Sequence, residues 1–185
     1  SVIAGVLSII VLFAVGTRLF SPYVGLLASF FLAFSQYAIH ESQNARMYSL
    51  FLLFSLLSVY TGIPLAKKVF HEERVKARGV VLYLFYSLLA CFFHYYGILF
   101  IFLQSCCLFI YIVPRRVSLK SFFIVFGLFG LLYALWVPFL LKQVTLLPEV
   151  VGWMKPPDIT LYWSYFAKVF NSSLVLCLNV LMAMV

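Results

Sequence analysis

The chain has 185 residues, of which 65% are hydrophobic, 19% aromatic and only 10% charged. A soluble globular domain has about 25% charged residues, so this composition excludes an ordinary soluble protein and predicts a polytopic membrane protein. The net charge of +8 would suggest nucleic-acid binding in a soluble protein. Here the basic residues lie mostly between apolar runs, where they orient membrane spans, so the pattern argues against a nucleic-acid partner.

Apolar runs predict the helices in chain order, because a membrane span needs about 20 predominantly apolar residues. The six runs cover residues 2–16, 23–39, 47–66, 79–93, 98–113 and 121–141. A seventh run begins at Leu174 and reaches the last residue, Val185. We therefore predict an all-α fold, one transmembrane helical bundle with six full spans and a truncated seventh. Since the first run begins at Val2 with no initiator methionine or charged leader before it, and the last run is cut at Val185, we expect an internal fragment of a longer protein.

Loop charges predict the orientation of these spans. If the connections alternate sides, nine basic residues share one face and four the other. The nine are Arg18, Lys67, Lys68, Arg74, Lys76, Arg78, Arg115, Arg116 and Lys120. By the positive-inside rule, we expect cytoplasmic loops near 17–22, 67–78 and 114–120. The extracytoplasmic segments are then expected near 40–46, 94–97 and 142–173. The glutamates of the loop 67–78 favour a topogenic role over binding of anionic lipid.

A densely polar segment, residues 40–48, separates the second and third runs on the predicted outer side. Arg46 offers a planar fork of donors that can hold a phosphate with two hydrogen bonds, and Tyr48 can add a phenolic donor. A phosphate at the outer membrane boundary would be a lipid phosphate. The alternative is that Arg46 pairs with Glu41 and only anchors the span at the interface. The residues alone leave both interpretations open.

Two further outward segments carry polar and aromatic side chains. One is the turn that contains His94, Tyr95 and Tyr96, and the other is the connection 142–173. Within that connection we expect residues 158–173 to form either an interfacial amphipathic helix or a plain aromatic belt. His40 and His94 lie two spans apart without an evident third ligand, so they do not predict a metal site.

The four cysteines, Cys91, Cys106, Cys107 and Cys177, lie in or beside apolar runs and have no Cys-x-x-Cys spacing. We expect them to behave as small buried hydrophobic residues.

The run Ser-Gln-Asn-Ala-Arg-Met-Tyr-Ser-Leu at 42–50 resembles a segment, roughly S-Q-E-A-R-x-Y-S-L, of membrane glycosyltransferases with the GT-C fold. These are the dolichyl-phosphate-mannose-protein mannosyltransferase-like group, which includes the bacterial aminoarabinose transferase relatives. The short basic turn at 15–20 and the outward turn His-Tyr-Tyr-Gly at 94–97 are also similar to theirs. The resemblance covers about the first hundred residues.

The resemblance implies an integral-membrane enzyme that passes a sugar from a polyprenyl-phosphate donor, such as dolichyl phosphate, to a protein, lipid or glycan acceptor. Its location would be the inner or plasma membrane, or the endoplasmic reticulum membrane in a eukaryote, with the active side extracytoplasmic. The implied substrate-binding residues are Arg46, Tyr48, Gln43, Glu41, His40, His94 and Tyr95. The catalytic acid is expected upstream of Ser1. Relatives often have an acid where this chain has Asn44, so no cofactor is assigned and a divalent metal stays an open question.

A rival interpretation is a membrane transporter or lipid-binding scaffold subunit, with Arg46 and Glu41 lining a substrate path. Transporters tend to show charges or helix breaks near the middle of the bilayer. The six runs are nearly free of charge, which favours chemistry at the outer surface. A purely structural subunit would explain the spans but would leave the outward polar residues without a role.

Overall fold

The structure is a computed structural model that describes residues 1–44, 46–70, 76–112 and 119–142, together with the single residues Thr145, Thr160 and Ser164. Side chains within it are not described at 69–70, 110–112 and 119–122. The described residues are helical apart from short turns and contain no strand, which confirms the all-α prediction for this part of the chain. The elements are α1 Val2–Leu19, α2 Pro22–Ala33, α3 Gln36–Gln43, α4 Tyr48–Phe70, α5 Ala77–Phe93, α6 Tyr96–Ile112 and α7 Leu119–Ala134. The seventh run from Leu174 lies outside the described residues, and so does the connection 142–173 apart from its first residue and the three single ones.

Two of the described helices are long and apolar enough to cross a membrane by themselves, namely α1 and the stretch Tyr48–Lys68 of α4. A third candidate exists if α2 and α3 together form one broken span. The apolar stretches Ala77–Phe93, Tyr96–Phe109 and Phe123–Ala134 are shorter. The described helices are therefore compatible with a membrane protein.

The run predicted as one span over residues 23–39 is divided into two helices that meet at an angle of 59°. Ser35 starts the second helix, because its Oγ accepts a hydrogen bond from the backbone N–H of Ala38 at 3.3 Å. Such a serine cap satisfies a backbone donor that has no partner within the helix. The polar residues of α3 are thereby placed on a separate, short helix at one end of the bundle.

Close backbone contact joins the first two helices into an antiparallel hairpin. A Cβ atom built on Gly16 would lie 2.6 Å from the Gly25 Cα, so no larger side chain fits between α1 and α2. The other face of α1 packs on α4, which in turn packs on α5, while α6 and α7 complete the described bundle. Small residues at helix contacts are typical of membrane bundles, where they let backbones approach closely.

Several polar side chains are buried inside the bundle, while many large apolar side chains are exposed on its outer surface. The buried polar residues are Ser8, Ser29, Ser49, Ser55, Ser58, Ser87 and His94. Gln104 connects three helices, since its Nε2 donates to Ser58 Oγ and its Oε1 accepts from the Tyr83 hydroxyl, both at 3.2 Å. Ile3 and Tyr23, by contrast, are 77% and 85% exposed. Lipid tails are as apolar as leucine, so this arrangement suits a membrane better than water.

The cysteines only partly follow the prediction of four buried thiols. Cys91 is buried and packs with Ile101 and Tyr133 in a small apolar core. Cys106 is partly buried and Cys107 is exposed, so burial is wrong for Cys107, which lies on the outer face of α6. Cys177 lies outside the described residues.

The two ends of the bundle carry different side chains. At one end the Tyr48 ring lies 5.2 Å from the His94 ring, where α4 begins and α5 ends. At the other end Arg18, near the end of α1, contacts Tyr60. Tyr60 lies twelve residues after Tyr48, or about 18 Å along α4 at the usual helical rise. We call these the aromatic end and the basic end.

Candidate functional site

The polar segment of the sequence is not an open loop but the last turn of α3 followed by a short turn into α4. Asn44 ends α3 with an extended backbone, and its N–H donates to the His40 carbonyl oxygen at 3.1 Å. Asparagine suits such a position because its short side chain competes with helical hydrogen bonds. Residues 40–43 are therefore helical, whereas Arg46 lies in the turn before α4 begins at Tyr48.

Three of the polar side chains at the end of α3 contact one another. The His40 Nδ1 atom lies 3.4 Å from Glu41 Oε1 and 3.2 Å from Asn44 Nδ2. The side chain of His40 is 70% exposed, but that of Glu41 is only 12% exposed. The second carboxylate oxygen of Glu41, Oε2, is buried and has no hydrogen-bond partner among the described residues. Glu41 thus holds one free acceptor oxygen in a sheltered position.

Ser49 ties this short helix to α4. Its Oγ donates to the Glu41 backbone carbonyl at 3.0 Å, and the residue is buried. The short helix α3 also packs closely on α1, since a Cβ on Gly5 would lie 2.9 Å from the Ser42 Cβ. An apolar cavity of about 220 Å³ lies between α1, α2, α3 and α4 and is bordered by Ser42 and Ser49.

His94 is the centre of a second cluster, built from aromatic rings. It is only 5% exposed, and its Nδ1 accepts from the Tyr96 backbone N–H at 3.2 Å. Its ring centroid lies 4.5 Å from that of Tyr95, 4.9 Å from Tyr96 and 5.2 Å from Tyr48. The start of α4 is thereby packed against the turn between α5 and α6.

Burial controls the protonation of this imidazole. Desolvation lowers the pKa of His94 from its ordinary value of 6.5, since a buried site disfavours the charged form. Because Nδ1 accepts a hydrogen bond, the neutral ring carries its proton on Nε2. Tyr95 is 60% exposed. Partial desolvation raises the pKa of Tyr95, so its hydroxyl stays a donor near neutral pH.

His94 therefore predicts a pH dependence of stability. Below its unfolded pKa of about 6.5 the unfolded chain binds more protons than the folded one, so stability is present above that pH and is lost as the pH falls through the lower folded pKa. We expect the Tm of the detergent-solubilised protein to fall more steeply on acidification in the wild type than in His94→Gln.

The exposed His40 supplies the matched control for this measurement. His40→Gln makes the same chemical change at a side chain that is 70% exposed, so the steeper acid slope should be lost in His94→Gln and not in His40→Gln. Equal slopes for the wild type and His94→Gln would show that the buried imidazole is not the group responsible.

Arg46 lies between the two clusters in the chain and is exposed. Within the part of the chain that the structure describes, it forms no ion pair with Glu41, whose Oε1 lies 3.4 Å from the His40 ring. The alternative in which Arg46 pairs with Glu41 and only anchors the span is therefore not what the described residues show. Gln43 is also exposed and its side chain makes no hydrogen bond to another described residue. None of the described residues occupies the donors of this guanidinium, and five N–H donors in a planar fork suit an anion.

The structure thus arranges the seven sequence-predicted residues in two groups and one exposed pair. His40 and Glu41 form one group with Asn44, while Tyr48, His94 and Tyr95 form the other. Gln43 and Arg46 are exposed and lie between His40 and Tyr48 in the chain. Sequence reasoning missed Ser49 and Phe51, although the Phe51 ring lies 5.4 Å from His94. Phe51 could have been found, because it lies three residues after Tyr48 and so shares its helix face. The buried state of Ser49 left no comparable signal.

No group of three or more His, Cys, Asp or Glu side chains is placed to hold a metal ion in the described ranges. This leaves a divalent metal as open as the sequence left it. The chain matches no protein-family model, and it has no match among curated proteins or solved structures. The functional assignment therefore depends on the chemistry of these residues.

Proposed function

We propose that this chain is part of a helical membrane glycosyltransferase of the GT-C type, with six spans and a seventh that begins at Leu174. It would transfer a sugar from a polyprenyl-phosphate donor to a protein, lipid or glycan acceptor. The observation that carries the proposal is the exposed Arg46, which has no ion-pair partner among the described residues and precedes Tyr48 of the aromatic cluster by two residues in the chain. The resemblance of residues 42–50 to such enzymes supports the same activity.

The role of Arg46 follows from how charge moves during transfer. The acceptor oxygen attacks the anomeric carbon, and the bond from that carbon to the phosphate oxygen breaks with its electron pair going to the phosphate. The phosphodiester donor carries one negative charge, whereas the released phosphomonoester approaches two. A bidentate arginine binds the more charged state more tightly, so Arg46 stabilises the transition state more than the bound donor.

The aromatic cluster would position the sugar and the phosphate. Tyr48 and Tyr95 supply phenolic donors, and Tyr95 and Tyr96 are 60% and 57% exposed, so their rings offer apolar faces with a polar edge. His94 stays neutral because it is buried. It therefore contributes a hydrogen-bond donor without adding a charge that would compete with Arg46.

Glu41 and the cavity behind α3 would complete the donor site. Glu41, whose side chain is 12% exposed, would hold the exposed His40 ring at the edge of that site through its Oε1 at 3.4 Å. The apolar cavity of about 220 Å³ can receive the first part of the isoprenoid chain. The acceptor proton would leave to the acidic residue that we expect upstream of Ser1.

The proposed orientation places the aromatic end on the extracytoplasmic side. The larger set of basic residues would then lie in the cytoplasm, as the positive-inside rule requires. The enzyme would be located in the inner or plasma membrane, or in the endoplasmic reticulum membrane of a eukaryote.

A transfer assay tests the proposal directly. The full-length protein in phosphatidylcholine vesicles is supplied with a radiolabelled polyprenyl-phosphate sugar and a membrane extract as the source of acceptors. We expect label to appear in the protein, lipid or glycan fraction with an equal amount of polyprenyl phosphate released. Label that stays entirely on the donor, while a solute gradient across the vesicles collapses, would instead support the transporter.

A further inference from the structure

A cavity at the basic end is lined by cations from the end of α1, the end of α4 and the start of α5. It has a volume of about 250 Å³ and is lined by Arg18, Lys68, Lys76 and Arg78. Arg18 lies in the last turn of α1, whereas the other three flank the connection between α4 and α5. Among the described residues that line the cavity, none is acidic. Four like charges around one space repel one another, so the cavity favours an anion.

Arg18 is held at this cavity by a hydrogen bond to a backbone carbonyl that Pro64 of α4 leaves free. Residue 64 would normally donate its N–H to the Tyr60 carbonyl, four residues earlier, but Pro64 has no N–H to donate. Arg18 fills this vacancy, since its Nη1 donates to the Tyr60 carbonyl oxygen at 3.2 Å. Its guanidinium carbon also lies 3.6 Å from the centre of the Tyr60 ring. The remaining donors of the guanidinium are left for another partner.

The start of α5 adds to the same positive field. Lys76 is its N-cap and makes no side-chain capping bond, and the first turn contains no acidic residue. The free backbone N–H groups of a helix start carry partial positive charge. Lys76 and Arg78 are exposed, while Lys68 is partly buried, so the cations surround the opening at different depths.

Apolar walls indicate that the anion is part of an amphipathic molecule. Pro64, Leu65 and Leu82 line the cavity together with the four cations. A free inorganic anion would gain nothing from these side chains. A lipid would place its phosphate among the cations and the first carbons of its tails against the leucines. Basic pockets between membrane helices bind the headgroups of anionic lipids in this way.

We propose that the basic cavity between α1, α4 and α5 binds the phosphate headgroup of an anionic membrane lipid. The glutamates Glu72 and Glu73 argued against such a site when the loop was considered alone in the sequence. The cavity changes that interpretation, because it adds Arg18 of α1 to the cations that flank the connection between α4 and α5. The site is independent of the proposed transfer reaction, which belongs to the aromatic end.

The test measures lipid binding to the purified full-length protein by native mass spectrometry. The probes are phosphatidylglycerol, phosphatidylcholine and inorganic phosphate. We expect phosphatidylglycerol to bind more tightly than phosphatidylcholine, and Arg18→Ala to weaken its binding by about fivefold. Pro64→Ala keeps all four charges but restores the N–H that competes with Arg18 for the Tyr60 carbonyl, so it should weaken binding as well. If Arg18→Ala does not fold, the exposed Lys76→Gln replaces it.

Lys67→Ala is the matched control, because Lys67 is an exposed neighbour that does not line the cavity. It should leave phosphatidylglycerol binding unchanged. If Lys67→Ala and Arg18→Ala weakened phosphatidylglycerol binding equally, binding would depend only on general surface charge, and the proposed site would be wrong. Equal binding of the two phospholipids would also overturn it. If inorganic phosphate bound as tightly as phosphatidylglycerol, the cavity would be a site for a free anion, and the lipid proposal would be wrong.

Discussion

Replacing Arg46 by alanine in the full-length protein is expected to lower kcat for sugar transfer by about 100-fold to 1,000-fold, the loss that follows removal of one donor to a developing negative charge. Arg46 is exposed and forms no ion pair among the described residues. Replacing it therefore breaks no ion pair between the described helices. The amount of inserted protein and its Tm should stay close to the wild-type values. The measurement is single-turnover transfer from a labelled polyprenyl-phosphate sugar.

Two companion variants separate charge from geometry. Arg46→Lys keeps the charge but loses the planar fork, so its rate should lie between those of the wild type and Arg46→Ala. Lys67→Ala removes an exposed cation at the basic end and should leave the rate unchanged. Wild-type turnover by Arg46→Ala would exclude this guanidinium from the donor site.

The positions of the helices could largely be predicted from the sequence, because the length of an apolar run follows from the thickness of a membrane. The run predicted over 47–66 corresponds to α4 Tyr48–Phe70, and that over 79–93 corresponds to α5 Ala77–Phe93. Hydropathy alone did not predict the 59° bend between α2 and α3. The bend depends on the cap made by Ser35, a single hydrogen bond within a run that stays apolar on average.

The candidate site was predictable as a set of residue types but not as an arrangement. Arg46 and Tyr48 stood out because polar residues interrupt two apolar runs. The packing of Tyr48 against His94 depends on how α4 meets the end of α5, which is a contact between distant parts of the chain. The sheltered carboxylate of Glu41 depends in the same way on its neighbours in space.

At the basic end, too, contacts between distant parts of the chain could not be predicted from the sequence. Arg18 and Pro64 each have an ordinary meaning in the sequence, as a charged residue in a turn and as a helix-disturbing residue. Their joint effect on the Tyr60 carbonyl appears only when α1 packs beside α4. The chemical character of each side chain could therefore be predicted from the sequence, whereas its contacts with residues of other helices could be identified only from the structure.

The largest effect on stability is expected where α1 meets α2. A Cβ on Gly25 would lie 2.6 Å from the Phe13 carbonyl oxygen and 2.9 Å from the Thr17 backbone nitrogen. Both atoms belong to the backbone of α1 and cannot move away as a flexible side chain could. Gly25→Ala must therefore push the two helices apart, at a cost near or above the upper end of the about 1–3 kcal/mol seen for overpacking. We expect a Tm several degrees lower and less folded protein in detergent.

Gly130→Ala on α7 provides the matched control, because nothing lies within 4 Å of a Cβ at that position. Alanine there improves helix propensity by about 1 kcal/mol over glycine, so this variant should be as stable as the wild type or more stable. The same chemical change thus has opposite expected signs at two helical positions. If Gly25→Ala were as stable as Gly130→Ala, α1 and α2 would not be in backbone contact. Since α1 also packs against α3 and α4, the positions of Glu41 and Arg18 would then have to be assigned anew.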